Sequence, residues 1–151
     1  MSPLLTRSAA ALTIALSLAS AHAASQPNTA IQSFQVEGIA HYQDGTLRVN
    51  GVTLTLDKSS KFDDWWLGKS TLDGRWIKVE GFHQEGQYRV SKVDGENRDN
   101  DIELNGMVHD NALWGYPASD ESLAPFNNQW VALECQLDES GKQISLCHLD
   151  D

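Results

Sequence analysis

From Ile31 onward, apolar and polar residues alternate in short runs, with glycine beside Asp, Asn or Glu between them. This period of two predicts half-buried β-strands joined by tight turns. Ile31–Tyr42 reads as a long first strand with Phe34, Val36 and Gly38 on one face, turning at Gln43-Asp44-Gly45 into Thr46–Val49. Asn50-Gly51 is a two-residue hairpin signal, since both central positions of that turn need positive φ. Val52, Leu54 and Leu56 then alternate with Thr53 and Thr55. Lys58–Gly74 breaks the pattern and leaves room for a helical turn or short helix. Strands resume at Arg75–Phe82 and Gln87–Val93, linked by His83-Gln84-Glu85-Gly86. Asp94–Asp101 is a charged loop, Ile102–His109 another strand, and Asp110–Asn128 a long irregular stretch. Gln129–Leu137 and Gln143–Leu149 flank a turn-rich segment around Gly141.

Three short segments echo one another: Val36-Glu37-Gly38, Val79-Glu80-Gly81 and Leu104-Asn105-Gly106, each followed closely by a histidine. A glycine inside a strand marks a bulge, a bend or a close approach of another group. Three hairpin-linked strands, a connector and two more strands is the order of a five-stranded OB barrel. The expected fold is therefore mainly β: a small OB-like Greek-key barrel over 31–94, then a β extension or shortened second copy over 95–151. Val36-x-Gly38, Thr46-Leu47-x-Val49-Asn50-Gly51, the Asp57–Phe62 segment, Ile77-x-Val79-x-Gly81 and Tyr88-x-Val90-x-x-Val93 carry a family likeness. Over roughly residues 34–94 the chain resembles an uncharacterised family of exported bacterial OB-like domains. The resemblance implies a fold and brings no assigned chemistry.

The N-terminus changes the setting. Met1–Ala23 has the parts of a secretory signal: Arg7, the apolar Ala9–Leu18 and the small-x-small site Ala21-His22-Ala23. A polar lead-in, 24–30, follows. The apolar run is too short to span a bilayer, and no later segment reaches that length, so the expectation is a periplasmic or secreted protein without membrane insertion. Cys135 and Cys147 are equidistant from Gly141. Folding the hairpin there sets them opposite each other, as a disulfide in an oxidising compartment requires.

Charge narrows the partners. Eleven Lys and Arg stand against 21 Asp and Glu, a formal net charge of −10. Phosphate recognition needs a basic footprint, so nucleic acid is excluded as a partner. Gly68-Lys69-Ser70-Thr71 resembles the end of a phosphate-binding loop, but Asp63 stands where that loop needs glycine. A calcium loop beginning at Asp99 fails similarly, with Leu104 at the turn position.

Five tryptophans, Trp65, Trp66, Trp76, Trp114 and Trp130, are more than a small core needs. Adjacent Trp65 and Trp66 point opposite ways on an extended segment. Exposed indoles beside Asp63 and Asp64 suit stacking on, and hydrogen bonding to, a sugar, and Trp65, Trp66 and Trp114 are the expected contacts. His41, His83 and His109 follow the strand glycines and form a candidate zinc or copper set. No catalytic motif is present, and no cofactor is expected. The leading expectation is a non-enzymatic binding module for an envelope glycan or protein. The alternatives are an acidic interaction or inhibitor protein for a basic envelope hydrolase, and a metal-handling protein.

Overall fold

Alternation along the strands becomes the two faces of a sheet. In the computed structural model, which describes residues 30–151, β1 (Gln32–Ile39) buries Phe34, Val36 and Gly38 and turns Ser33 and Gln35 outward. The expected signal at Met1–Ala23 and most of the lead-in lie outside the described residues. After β1 come β2 (His41–Gln43), β3 (Thr46–Val49), β4 (Val52–Leu54), β5 (Lys61–Phe62), β6 (Trp76–Gln84) and β7 (Gln87–Gly95). They are followed by β8 (Asp101–His109), β9 (Ala112–Leu113), β10 (Tyr116–Pro117), β11 (Trp130–Leu137) and β12 (Ile144–Leu149). Among the described residues helical backbone is confined to one 3₁₀ turn, Ala124–Phe126. The helix for which Lys58–Gly74 left room does not form. Past the short β5 that segment is a run of turns, closed by Leu67 N–H to the Asp64 carbonyl and Thr71 N–H to the Gly68 carbonyl, both at 3.0 Å.

The larger sheet runs β10-β9-β8-β1-β6-β7-β5, with β11 joining β8 and β12 joining β11. β1 pairs antiparallel with β6 along its whole length, from Gln32 opposite His83 to Ile39 opposite Trp76. Its ladder pairing with β8 is at a single position, Gln35 opposite Asn105. β2, β3 and β4 form a separate ribbon. A parallel bridge ties that ribbon to β7, with Thr55 N–H bonded to the Tyr88 carbonyl at 2.7 Å and Val90 N–H to the Thr55 carbonyl at 2.9 Å. Among the described residues the two sheets do not join in one closed barrel: β1 gives way at Ala40 to β2, which pairs with β3 and not with β6. Ala40 is fixed there by bonds to Arg75 and Gly74.

Two-residue turns with positive φ at both positions set the register. Asn50-Gly51 has φ of 49° and 81°, as its sequence predicts. Asp110-Asn111 and Trp114-Gly115 turn the same way, at 50° and 57° and at 51° and 77°. They organise part of the stretch expected to be irregular into the β9–β10 ribbon. The strand glycines mark close approaches, each to a different neighbour. A Cβ at Gly38 would sit 2.7 Å from Val49, one at Gly106 2.6 Å from the Trp114 indole nitrogen, and one at Gly81 would strike the Arg89 carbonyl. Gly81 also sits at a register shift between β6 and β7.

Cys135 and Cys147 form a disulfide, with Cα atoms 4.1 Å apart. The register shifts by one residue beside it, where Leu146 takes φ 51°. The core is one cluster to which both halves contribute, from Phe34, Val36 and Val79 to Leu104, Leu133 and Ile144.

Candidate functional site

Trp65 and Trp66 sit on the turns of the connector, which two buried leucines, Leu67 and Leu72, pin to the core. Asp64 fixes the segment from its other side: its Oδ2 accepts the Gly95 N–H at 2.8 Å. Asp63 donates its N–H to the Val93 carbonyl at 3.0 Å. Held in this way, Trp65 projects into solvent and is 96% exposed. Trp66 turns back, 37% exposed, with its ring pressed against Gly95. The Arg75 guanidinium lies over that ring, 4.7 Å from its centre, held by an Nε bond to the Thr71 carbonyl at 2.8 Å. A cation over an indole face is attracted by the ring quadrupole.

Beside Trp66 lies a cavity of about 440 Å³, lined by Trp66, Gly74, Arg75, Trp76, Gly95, Glu96 and Asn97. Its walls offer indole, guanidinium, carboxylate and amide. The Trp76 indole N–H is buried and has no hydrogen-bond partner among the described residues. A second cavity, of about 180 Å³, adjoins it and shares Glu96 and Asn97. Its further lining is Glu37, Lys78, Asp99, Asp101, Glu103 and Glu134.

Glu37 is the one buried charged residue among those described, 7% exposed. Its Oε2 accepts the Glu103 N–H at 2.8 Å, in the gap where β1 and β8 part. Glu103 in turn takes Lys78 Nζ at 2.9 Å and Gln35 Nε2 at 2.8 Å. Burial raises the Glu37 carboxyl above the ordinary glutamate value, against the opposing pull of the Glu103 N–H and of Lys78, while Glu96 and Glu103 push it further up. Lys78 and Gln35 hold the Glu103 carboxyl below its ordinary value.

The raised Glu37 value has a consequence for stability. Between the ordinary and the raised value the native state holds more protons than the unfolded chain, so stability falls as pH rises through that window. Glu37→Gln keeps an oxygen acceptor for Glu103 without the charge. Thermal melts should show the variant more stable than the parent at neutral pH, with the gap closing as pH falls below the window. A variant that melts lower at neutral pH would contradict this.

The other expected site residues separate. Asp63 faces Lys92 at 3.6 Å in a cluster with Asp94 and Glu80, away from either cavity's lining. Trp114, expected as an exposed contact, is only 7% exposed. Its turn folds it over Gly106, its ring packs on Phe34 and Tyr88 at 5.5 and 4.9 Å, and its Nε1 donates to the Asn105 carbonyl at 2.8 Å. The histidine set does not assemble. His83 stacks on Trp130 at 5.0 Å, and His109 bonds Asn128 at 3.0 Å. His41 follows the Ile39 end of β1, opposite the end that meets His83. Among the described residues no group of three His, Cys, Asp or Glu side chains is placed to hold a metal.

Arg75, Trp76, Glu96, Asn97 and Glu37 join the site without having been singled out by the sequence. Trp76 is visible there as one of five tryptophans, whereas no local signal marks Glu37. No family model, curated protein or solved structure matches the chain.

Proposed function

We propose that this chain is an exported, non-enzymatic binding module that recognises a cell-envelope glycan through Trp65 and the cavity beside Trp66. One observation carries the reading: a fully solvated indole, Trp65, adjoins in the chain Trp66, which lines a cavity whose walls combine aromatic, cationic, anionic and amide groups. An indole buries much area on a sugar ring at little conformational cost, and a few convergent polar groups orient what it holds. The pairing of β1 with β6, the β2-β3-β4 ribbon and the Thr55 bridge to β7 favour an OB-like arrangement for 31–94, with 95–151 as its β extension. Such folds present oligosaccharide sites, in keeping with the resemblance to exported OB-like domains. The disulfide fits an oxidising compartment, periplasmic or extracellular.

A thermal-shift panel of peptidoglycan fragments and other oligosaccharides, at two salt concentrations, tests this. A ligand at a hundred times its dissociation constant adds about 2.7 kcal/mol. Trp65→Ala should abolish the shift while moving the ligand-free stability by no more than about 0.5 kcal/mol, as befits a solvated side chain. Binding that survives Trp65→Ala would remove the indole from the contact.

A second reading, an acidic interaction or inhibitor protein for a basic envelope hydrolase, is favoured by the carboxylates of the smaller cavity. Its mark is association that weakens steeply with salt, since charge steers such encounters. A basic protein such as lysozyme, added to the same panel, distinguishes it.

A further inference from the structure

We propose that the cavity beside Trp66 is an acetamido pocket, so that the preferred glycans carry N-acetylated hexosamine units. This rests on the glycan reading above and names its substrate class. Trp76 is the residue that points to a ligand. It lines the cavity, and its indole N–H is buried without a hydrogen-bond partner among the described residues. A donor taken out of water and given no acceptor is costly, and a ligand oxygen that meets it removes that penalty. The nitrogen is closed to water in the free protein. The oxygen therefore enters as two exposed side chains turn aside: Asn97 in the cavity wall, and Arg98, whose guanidinium lies 6.0 Å from the centre of the Trp76 ring.

The neighbouring walls are set by contacts around Trp76. Arg75, the preceding residue, lays its guanidinium over the Trp66 ring at 4.7 Å. Its Nε is engaged by the Thr71 carbonyl, and among the described residues no carboxylate pairs with it. Glu96 is brought to Trp76 by its own N–H, which donates to the Trp76 carbonyl at 3.1 Å. The cavity thus combines the donors of Trp76 and Arg75, the acceptor of Glu96 and the apolar surface of Trp66.

An acetamido group matches this set. Its carbonyl accepts from the indole N–H and the guanidinium, its N–H donates to the carboxylate, and its methyl packs on indole. The two charges also select against other substituents. A sugar carboxylate meets Glu96, and a sugar ammonium meets Arg75. A hydroxyl bonds through one atom and leaves one side of the cavity unanswered. A site whose polar groups the wrong ligand leaves unpaired discriminates by about tenfold for one such bond.

The test is isothermal titration of the mature protein with three β-1,4-linked tetrasaccharides, built of N-acetylglucosamine, glucosamine or glucose. The N-acetylated oligomer should bind about tenfold tighter than either of the others, and Trp65→Ala should weaken all three. Trp76→Phe keeps a ring and removes the N–H, so it should lose most of the preference. Circular dichroism and melting establish that this variant is folded. In nitrogen–proton spectra of the parent protein the Trp76 indole signal, identified by its absence in Trp76→Phe, should move further with the N-acetylated oligomer than with the glucose oligomer. Equal affinities for the three sugars, all lowered by Trp65→Ala, would overturn the acetamido pocket and leave the glycan reading intact. A preference that persists undiminished in Trp76→Phe, with the indole signal unmoved, would overturn it by placing the acetamido group away from this cavity. Tighter binding of the glucosamine oligomer would overturn it in favour of the acidic surface. Binding of none of the three would overturn the pocket alone if another glycan of the thermal-shift panel binds, and both readings if the whole panel is flat.

Discussion

Trp114→Ala should be among the most destabilising single changes in this protein, costing about 3–5 kcal/mol. The indole fills the space between Phe34, Tyr88 and the backbone at Gly106, so truncation leaves a cavity those neighbours cannot easily close. It also removes the bond by which the half-buried Asn105 carbonyl accepts the indole N–H at 2.8 Å. A lost hydrogen bond of this kind adds about 1 kcal/mol of its own. The backbone argues in the same direction. Trp114 has φ 51°, an unusual conformation for a bulky residue. The Asn50 amide bonds its carbonyl at 2.9 Å, and the Tyr116 hydroxyl donates to the Glu37 carbonyl at 2.7 Å. The β9–β10 ribbon is thus locked to β1 and to the β3–β4 turn from both ends. Alanine keeps the positive φ without the packing that sustains it. Trp114→Phe, which keeps a ring and loses only the N–H, should lose distinctly less. Urea denaturation of the three proteins gives the ordering, provided the slopes agree. A Trp114→Ala loss below about 1 kcal/mol would mean the core does not rest on this ring.

The same residue shows why the sequence is legible in some places and not in others. Turn chemistry is local, so Asn50-Gly51, Asp44-Gly45 and Glu85-Gly86 can be placed from their residue types alone. Trp114-Gly115 uses the same backbone geometry with a residue that ordinarily avoids it. Only the tertiary contacts with Phe34 and Tyr88 make it favourable, and so the β9–β10 ribbon has no sequence signature. Exposure is likewise non-local. Composition identifies a surplus of tryptophan, and adjacency foretells that Trp65 and Trp66 diverge. Which ring stays in water depends on Leu67, Leu72 and the Asp64–Gly95 bond. Glu37 is the extreme case. In an alternating strand it reads as an outward, solvated carboxylate, and it is buried by β8, whose Glu103 lies 66 residues further along the chain. The pairing of the strands is non-local too: the pattern shows where strands begin and end but not that β2, β3 and β4 form a ribbon apart from the sheet of β1.

Removing the disulfide should cost about 2–4 kcal/mol, whether by reduction or by the double replacement Cys135→Ala/Cys147→Ala. The bridge joins residues 12 apart, so in the chain-entropy account its contribution comes from the small loop it imposes on the unfolded state, with native packing as a secondary loss. Packing does contribute, because both cysteines belong to the core cluster. The loss should be felt first at β12. Among the described residues its one strand partner is β11, and a backbone irregularity at Leu146 interrupts the pairing beside the bridge. Its outer edge is held by the preceding segment instead: Asp120 accepts the Leu146 N–H and Ser122 accepts the Cys147 N–H, each at 2.9 Å, and Ser119 donates to the Ile144 carbonyl at 2.9 Å. These bonds should keep the reduced protein folded at room temperature while β12 opens more often. Hydrogen exchange should therefore rise across Ile144–Leu149 and stay unchanged at β6 and β7, and Trp65-dependent ligand binding should survive reduction. Equal acceleration of exchange throughout, with loss of binding, would make the bridge a condition for the whole fold. Two titratable thiols in the protein isolated from an oxidising compartment would overturn the staple itself.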